Sequence, residues 1–134
     1  MTQDEARAAI ESLFADRWTQ TPIAYRNVAF APPDDAGPWV LLSIEARETV
    51  QASFGGALRR FRCSGVVRID IRTARGAGTA QACRLADAAA ALFATASVPG
   101  LTFEAAGPVS EGDDDGDAYF SLLVEVPFWH DDFR

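Results

Sequence analysis

Residues 59–72 read RRFRCSGVVRIDIR. Phe61, Cys63, Val67, Ile69 and Ile71 fall on one face of a period-two pattern. Arg60, Arg62, Ser64, Arg68, Asp70 and Arg72 fall on the other. Successive strand side chains point to opposite sides, so this is a strand with one face in a core and one in a polar setting. The stretch before it alternates too: Val40, Leu42, Ile44 and Ala46 against Leu41, Ser43, Glu45 and Arg47, after a start at Trp39. Two strands of this length form a hairpin rising roughly 30 Å. Their connection, within RETVQASFGGALRRFR at 47–62, has no Asn-Gly turn and sets a large apolar residue, Phe54, beside Gly55 and Gly56. A loop that only connects strands gains nothing from such a residue.

Working outward, Thr2 and Glu5 form a T-x-x-E capping box. Ala6, Ala9, Ile10, Leu13 and Phe14 then recur at helical spacing with Trp18 below, and Thr21-Pro22 stops the helix. IAYRNVAF, 23–30, reads as a short edge strand, and APPDDAGP as a loop. Beyond the hairpin, Gly78 or Thr79 caps a second helix with Ala82, Leu85, Ala86, Ala89 and Phe93 inward, closed by SVPG. LTFEAAGPV is a strand and SEGDDDGD a loop. AYFSLLVEVPFW is the last strand, with Phe120, Leu122, Val124, Val126 and Phe128 on one face. HDDFR is then a charged tail.

The order predicts an α+β domain over 1–134. It has a mostly antiparallel four- to five-stranded sheet, two helices packed on one face and a long protruding β-hairpin arm. The other face carries Trp39, Leu41, Tyr119, Leu123 and Trp129. The simplest cover for that apolar surface is another subunit.

Composition narrows the function classes. The chain has 134 residues, 49% hydrophobic, with a net charge of −7. All 12 basic residues are arginine. An acidic surface is poorly suited to gripping nucleic acid, since phosphate contacts need basic groups. No apolar run reaches membrane-spanning length, and MTQDEARAAI lacks the basic flank and apolar core of an export signal. An intracellular product that contacts no membrane is expected. Cys63 and Cys83 have neither metal nor redox spacing and read as buried thiols.

Three stretches imitate chemistry. ARGAGTAQ has Gly76 and Gly78 of a dinucleotide turn, but Gln81 stands in the third glycine position, so it reads as a strand-to-helix turn needing positive φ. EGDDDGDAYFSL spaces Glu111, Asp113, Asp115 and Gly116 like a calcium loop, but Leu122 stands where a bidentate Glu belongs. A solvated hairpin tip is the expectation. The lone His130 beside Asp131 and Asp132 supplies neither a facial metal triad nor a catalytic triad. No catalytic, cofactor-binding or metal residues are assigned. The arginines of 60–72 need acids nearby, either cross-strand from Glu45 and Glu125 or from a neighbouring subunit.

YRNVAF with PP before the PWVLLSI strand, the SFGG…RRFRCSGVVRIDIRT arm, GAGTAQACRLADAAAALF and the closing VEVPFWHDDF together resemble the tail-terminator and tail-completion proteins of bacteriophages, similar to minor tail protein U of lambdoid phages. The resemblance spans nearly the whole chain. It implies a structural, non-enzymatic virion protein, assembled in the host cytoplasm, that forms a ring of six. The ring caps the head-proximal end of the tail tube and ends its polymerisation. It touches the major tail tube protein on one side and the head-completion or stopper protein on the other. DNA passes through the lumen without specific binding. The neighbouring reading is another head–tail joint protein, a stopper or adaptor, or a tail assembly chaperone. A small α+β enzyme or ligand-binding domain would need a convergent polar pocket that the sequence does not display. The residues expected at subunit or tube contacts are Phe54, Gly55, Gly56, Arg59, Arg60, Arg62, Arg68, Trp39, Tyr119 and Trp129.

Overall fold

The computed structural model describes residues 1–112 and 118–134. Its centre is the hairpin. Strand β2 (Trp39–Gln51) pairs antiparallel with β3 (Arg60–Ala74) from Trp39↔Arg72 to Gln51↔Phe61, with a bulge between Ala46 and Glu48. On its other side β3 pairs with β6 (Tyr119–Phe133) from Ala74↔Tyr119 to Arg60↔Phe133. The central strand is therefore paired on both edges from Phe61 to Arg72. Short strands complete the sheet: β1 (Ile23–Tyr25), parallel to β2, and β4 (Leu101–Phe103) and β5 (Ser110–Glu111), both antiparallel to β6. The order is β1-β2-β3-β6-β4, with β5 also on β6, so the expected four to five strands become six through the two-residue β5. The fold is α+β, with an open and mostly antiparallel sheet.

Helix α1 (Gln3–Arg17) starts as its capping box requires: the Glu5 amide donates to the Thr2 hydroxyl, and the Thr2 amide donates to the Glu5 carboxylate. Helix α2 (Ala80–Ala94) follows a turn in which Gly76 and Gly78 both have φ of 83°, open to glycine and strained for other residues. Both helices cover the same sheet face. Ala6, Ile10, Phe14 and Trp18 of the first and Ala82, Leu85, Ala86, Ala89 and Phe93 of the second meet Val40, Leu42, Val67, Ile69, Ile71, Val124 and Val126. Phe14 sits between Trp18 and Phe93, at centroid distances of 5.2 and 6.0 Å. Truncating one such ring costs about 3–5 kcal/mol.

The core ends before the hairpin does. From Glu45 to Val50, β2 is exposed. The arm beyond this point is not a free two-stranded hairpin, because β6 runs beside it. HDDFR is thus not a loose tail. His130–Phe133 continue the strand because Asp131 and Asp132 find arginine partners and the Arg59 and Arg134 main chains exchange hydrogen bonds of 2.9 and 3.0 Å. Two other expectations shorten or fail. Of 23–30 only Ile23–Tyr25 pairs, and 101–109 leaves the strand after Phe103, returning only single amides to β6 from Glu104 and Gly107. Neither cysteine is buried. Cys83 sits on the outward flank of α2 beside inward Ala82, and Cys63 lies on the helix-facing side but beyond the close-packed core.

At the border between core and arm, Gly65 of β3 packs directly beneath Phe128. A Cβ on Gly65 would lie 2.6 Å from Phe128 Cζ and 2.7 Å from the Glu45 carbonyl oxygen. One contact is backbone, so a rotamer change cannot relieve both. Gly65→Ala should therefore destabilise the chain by roughly 2 kcal/mol or more, in the range of overpacked cores. Urea unfolding monitored by tryptophan fluorescence checks this, and an unchanged midpoint would contradict it.

Candidate functional site

The arm tip is defined by a few contacts. The Ala52 amide donates to the Arg60 carbonyl at 2.7 Å, the Arg60 amide to the Ser53 hydroxyl at 3.0 Å, and the Gln51 side chain to the Ser53 carbonyl at 2.9 Å. Gly55 and Gly56 follow with φ of 89° and 78°. Open space surrounds Gly55, so the glycines serve backbone conformation rather than close approach within the chain. Phe54 is 86% exposed and Leu58 66%. Phe54 does not fold back onto its own sheet.

The arginines divide into two groups. Arg62 grips Asp131 with Nε and Nη2 at 3.0 and 3.1 Å, and its guanidinium lies 3.8 Å from the centre of the Trp129 ring. Arg68 lies between Glu45 and Glu125, and Arg47 reaches the same two carboxylates, at 3.4 to 3.9 Å across three strands. Arg72 pairs with Asp70, which also accepts from the Ser121 hydroxyl. Arg68 thus has the cross-strand partners Glu45 and Glu125 that the alternation anticipates, whereas Arg72 with Asp70 is a pair within β3. Arg59 and Arg60, at the tip, have no ion pair among the described residues.

Trp39 and Tyr119 lie at the opposite end of the outer face. There the chain covers itself. Phe30 packs on Trp39 at 5.0 Å, Trp39 meets Tyr119 edge-on at 5.8 Å, and the Tyr119 hydroxyl reaches the Pro33 carbonyl. This part of the face is closed by the loop before β2, because that loop carries its own aromatic and prolines. Trp129 is separate from this cluster and stands at the root of the arm.

Pattern reading missed a cavity of about 420 Å³ on the helix side, where α1 begins and the arm leaves the core. Ile44, Ala46 and Phe128 supply apolar walls. Thr49, Cys63 and His130 line it from the strands, and Gln3, Asp4, Arg7 and Arg134 from the rim. His130 is buried, with Nδ1 3.1 Å from the Met1 carbonyl and its ring stacked along Phe128. The signal was present: Thr49, Cys63 and His130 break the apolar face just where the two helices run out. Glu111 ends in β5, while Asp113, Asp115 and Gly116 of the calcium-like stretch lie outside the described residues. Among the described residues no three His, Cys, Asp or Glu side chains group as a metal site needs. No helix among them is long and apolar enough to cross a membrane.

The hydrogen bonds from Arg62 hold the Asp131 carboxyl below its ordinary value of 3.8, against a smaller opposing effect of burial. A carboxyl depressed by folding stabilises fully above its unfolded pKa and loses that contribution as pH falls through the folded one. Asp131→Asn should therefore lower the melting temperature at pH 7. The gap from the unsubstituted protein should close as pH falls below 3.8. Melting curves across pH 7 to 2 check this, and a gap independent of pH would contradict it.

A search of curated proteins finds no significant match. Seventeen solved chains match significantly. One of them is 28% identical over 97% of this chain and 96% of its own, with a TM-score of 0.65. The family of phage tail terminator proteins matches residues 5–127, almost all of the two helices, the sheet and the arm. It is a family of structural proteins of the virion tail, which accords with a site built from an exposed arm rather than a reactive pocket. The chain belongs to the phage tail terminator protein family.

Proposed function

We propose that six copies of this chain form a closed ring at the head-proximal end of the tail tube. The ring ends tube polymerisation and presents its other side to the head-completion protein. The observation that carries the reading is the arm tip, where Phe54 is 86% exposed at the end of a sheet extension that has no core of its own. Natural selection for monomer stability does not favour that arrangement, whereas a ring subunit needs an element that reaches its neighbour or the tube below. Phe is suited to a partner pocket, and Arg59, exposed at the tip, is open to acids on another chain. Trp129, with Arg62 stacked on it, and Val50 extend the contact surface along the arm root. The net charge of −7 suits a channel through which DNA slides, because a lumen attracting phosphate would retard it. Assembly takes place in the host cytoplasm and the finished protein remains in the virion.

Electron microscopy of purified tails should show one layer of this protein at the head-proximal end. Finding it at the distal tip would refute the assignment. Phe54→Ala should leave the melting temperature of the monomer unchanged, since the ring contributes nothing to the core. It should weaken ring or tail attachment by roughly 2 kcal/mol per subunit, as loss of an interface anchor does. Uncapped, overlong tails are the expected phenotype. A lowered melting temperature with normally terminated tails would place Phe54 in a purely structural role.

A further inference from the structure

An open sheet has two lateral edges, and this chain lines only one of them for most of its length. On β6 the outer edge is met by β4 and β5, by the Glu104 and Gly107 amides between them, and by the Met1 ammonium, which reaches the Asp131 carbonyl at 3.1 Å. On β2 the outer edge is met only by β1, at Val40 to Leu42. A turn then carries the chain away: the Val28 amide donates to the Tyr25 carbonyl, and Asn27 takes a φ of 60°. From Ser43 to Gln51 no strand among the described residues pairs with that side of β2. The Val40 amide points outward, to the Pro22 carbonyl, so Ile44 and Ala46 in the same alternation point outward too. Beyond the bulge the Ala52 amide points inward, to Arg60, which turns Thr49 and Gln51 outward. Depressions flank this edge on both faces. The cavity of about 420 Å³ takes in Ile44, Ala46 and Thr49 on the helix side, and a groove of about 610 Å³ runs beside Arg26, Ser43 and Glu45 on the other. Open main-chain groups with pockets for alternate side chains are what an added strand requires.

We propose that this edge of β2 pairs with the opposite sheet edge of a second copy, the run 101–111 that includes β4 and β5. The inference rests on the ring reading and adds the lateral contact between neighbours. Strand direction favours this occupant. β2 opposes β3, β3 opposes β6, and β6 opposes β4 and β5, so β2 and the 101–111 run are antiparallel. Rotation about an axis running along the strands preserves those directions, so ring neighbours meet edge to edge as an antiparallel pair. The two edges also stand at matching heights, since Ala46 is level with Phe103 through Gly65 and Phe128. The outer side of the run is open as well: the Glu104 and Gly107 amides point inward, and the Ala105 and Val109 amides bond nothing among the described residues. Charge agrees. Residues 101–111 carry Glu104 and Glu111 and no basic residue, and neither acid makes an ion pair among the described residues. The β2 edge carries Arg26, Arg47 and Arg68 against Glu45 and Glu48; Arg47 and Arg68 share Glu45, and Arg26 makes no ion pair among the described residues. The two edges are different patches, so the contact is head-to-tail and closes where the rotation permits.

Disulfide formation in purified tails tests the pairing, on a background of Cys63→Ser and Cys83→Ser. Double variants combine Ser43→Cys or Thr49→Cys on one edge with Ala105→Cys or Val109→Cys on the other. Within a chain the two edges stand three strand spacings apart, roughly 14 Å, whereas a disulfide needs Cα atoms within about 7 Å. Oxidation should therefore give a ladder of covalent multimers with at least one of the pairs, and none with either cysteine alone. Hydrogen exchange on unsubstituted tails gives a second readout: the amides of 43–51 should exchange at least about tenfold more slowly than in the free chain. In tails that carry the head-proximal layer, unchanged exchange, or slowed exchange without a ladder from any pair, would overturn the pairing and leave the ring standing. Dimers from Thr49→Cys alone, or a different protein found by mass spectrometry on the β2 thiol, would overturn it too. Absence of any such layer with the unsubstituted protein would instead remove the ring, and this contact with it.

Discussion

The structure depends on one strand being paired along both edges for most of its length. β3 pairs with β6 from Arg60 to Ala74 and with β2 from Phe61 to Arg72. In its inner half the strand also carries the sheet core, through Val67, Ile69 and Ile71. In its outer half there is no core, and a two-stranded ribbon would be marginal in water. The third strand changes that. By running on to Phe133, β6 leaves no bare edge on β3. Two ionic contacts, Arg62 with Asp131 and Arg134 with Asp132, reinforce the end. The arm is therefore a stiff extension of the sheet, and only the eight residues between β2 and β3 are free to adapt.

Charge follows the same division. Along the body of the sheet, Arg47 and Arg68 share Glu45 and Glu125, so like charges on one face do not repel without relief. Such exposed pairs each contribute little to stability. Their effect is to keep the face neutral and its register defined. At the tip the balance is dropped. Arg59 and Arg60 make no ion pair among the described residues, in a chain of net charge −7.

The buried groups that imitate catalysis are occupied structurally. His130 holds the start of α1 through the Met1 carbonyl and packs on Phe128. Asp131 serves Arg62, and Asp70 serves Arg72 and Ser121. His130, Asp131 and Asp70 each hold two elements together. The arrangement accords with membership of a structural family.

Much of the architecture is readable locally. Period two in 59–72, the Thr2–Glu5 capping box and the apolar stripe from Ala82 to Phe93 each report which face of an element meets the core, since a side chain's direction follows from its own backbone. Phe54 beside two glycines is equally local, but whether it folds back on its own sheet is not, and the structure leaves it exposed. What covers a face is not local. Whether HDDFR ends a strand or extends it depended on Arg62, some seventy residues earlier, lying opposite Asp131. Trp39 and Tyr119 looked like bare interface until Phe30 and Pro33 came to rest on them. The cavity exists because α1 begins where it does above Gly65 and Phe128, a matter of how long the helix layer is relative to the sheet. Sequence by itself determined the elements and their inner faces. Tertiary structure alone decided their extent and their partners, because pairing across long chain separations is chosen by packing and charge that no local pattern contains.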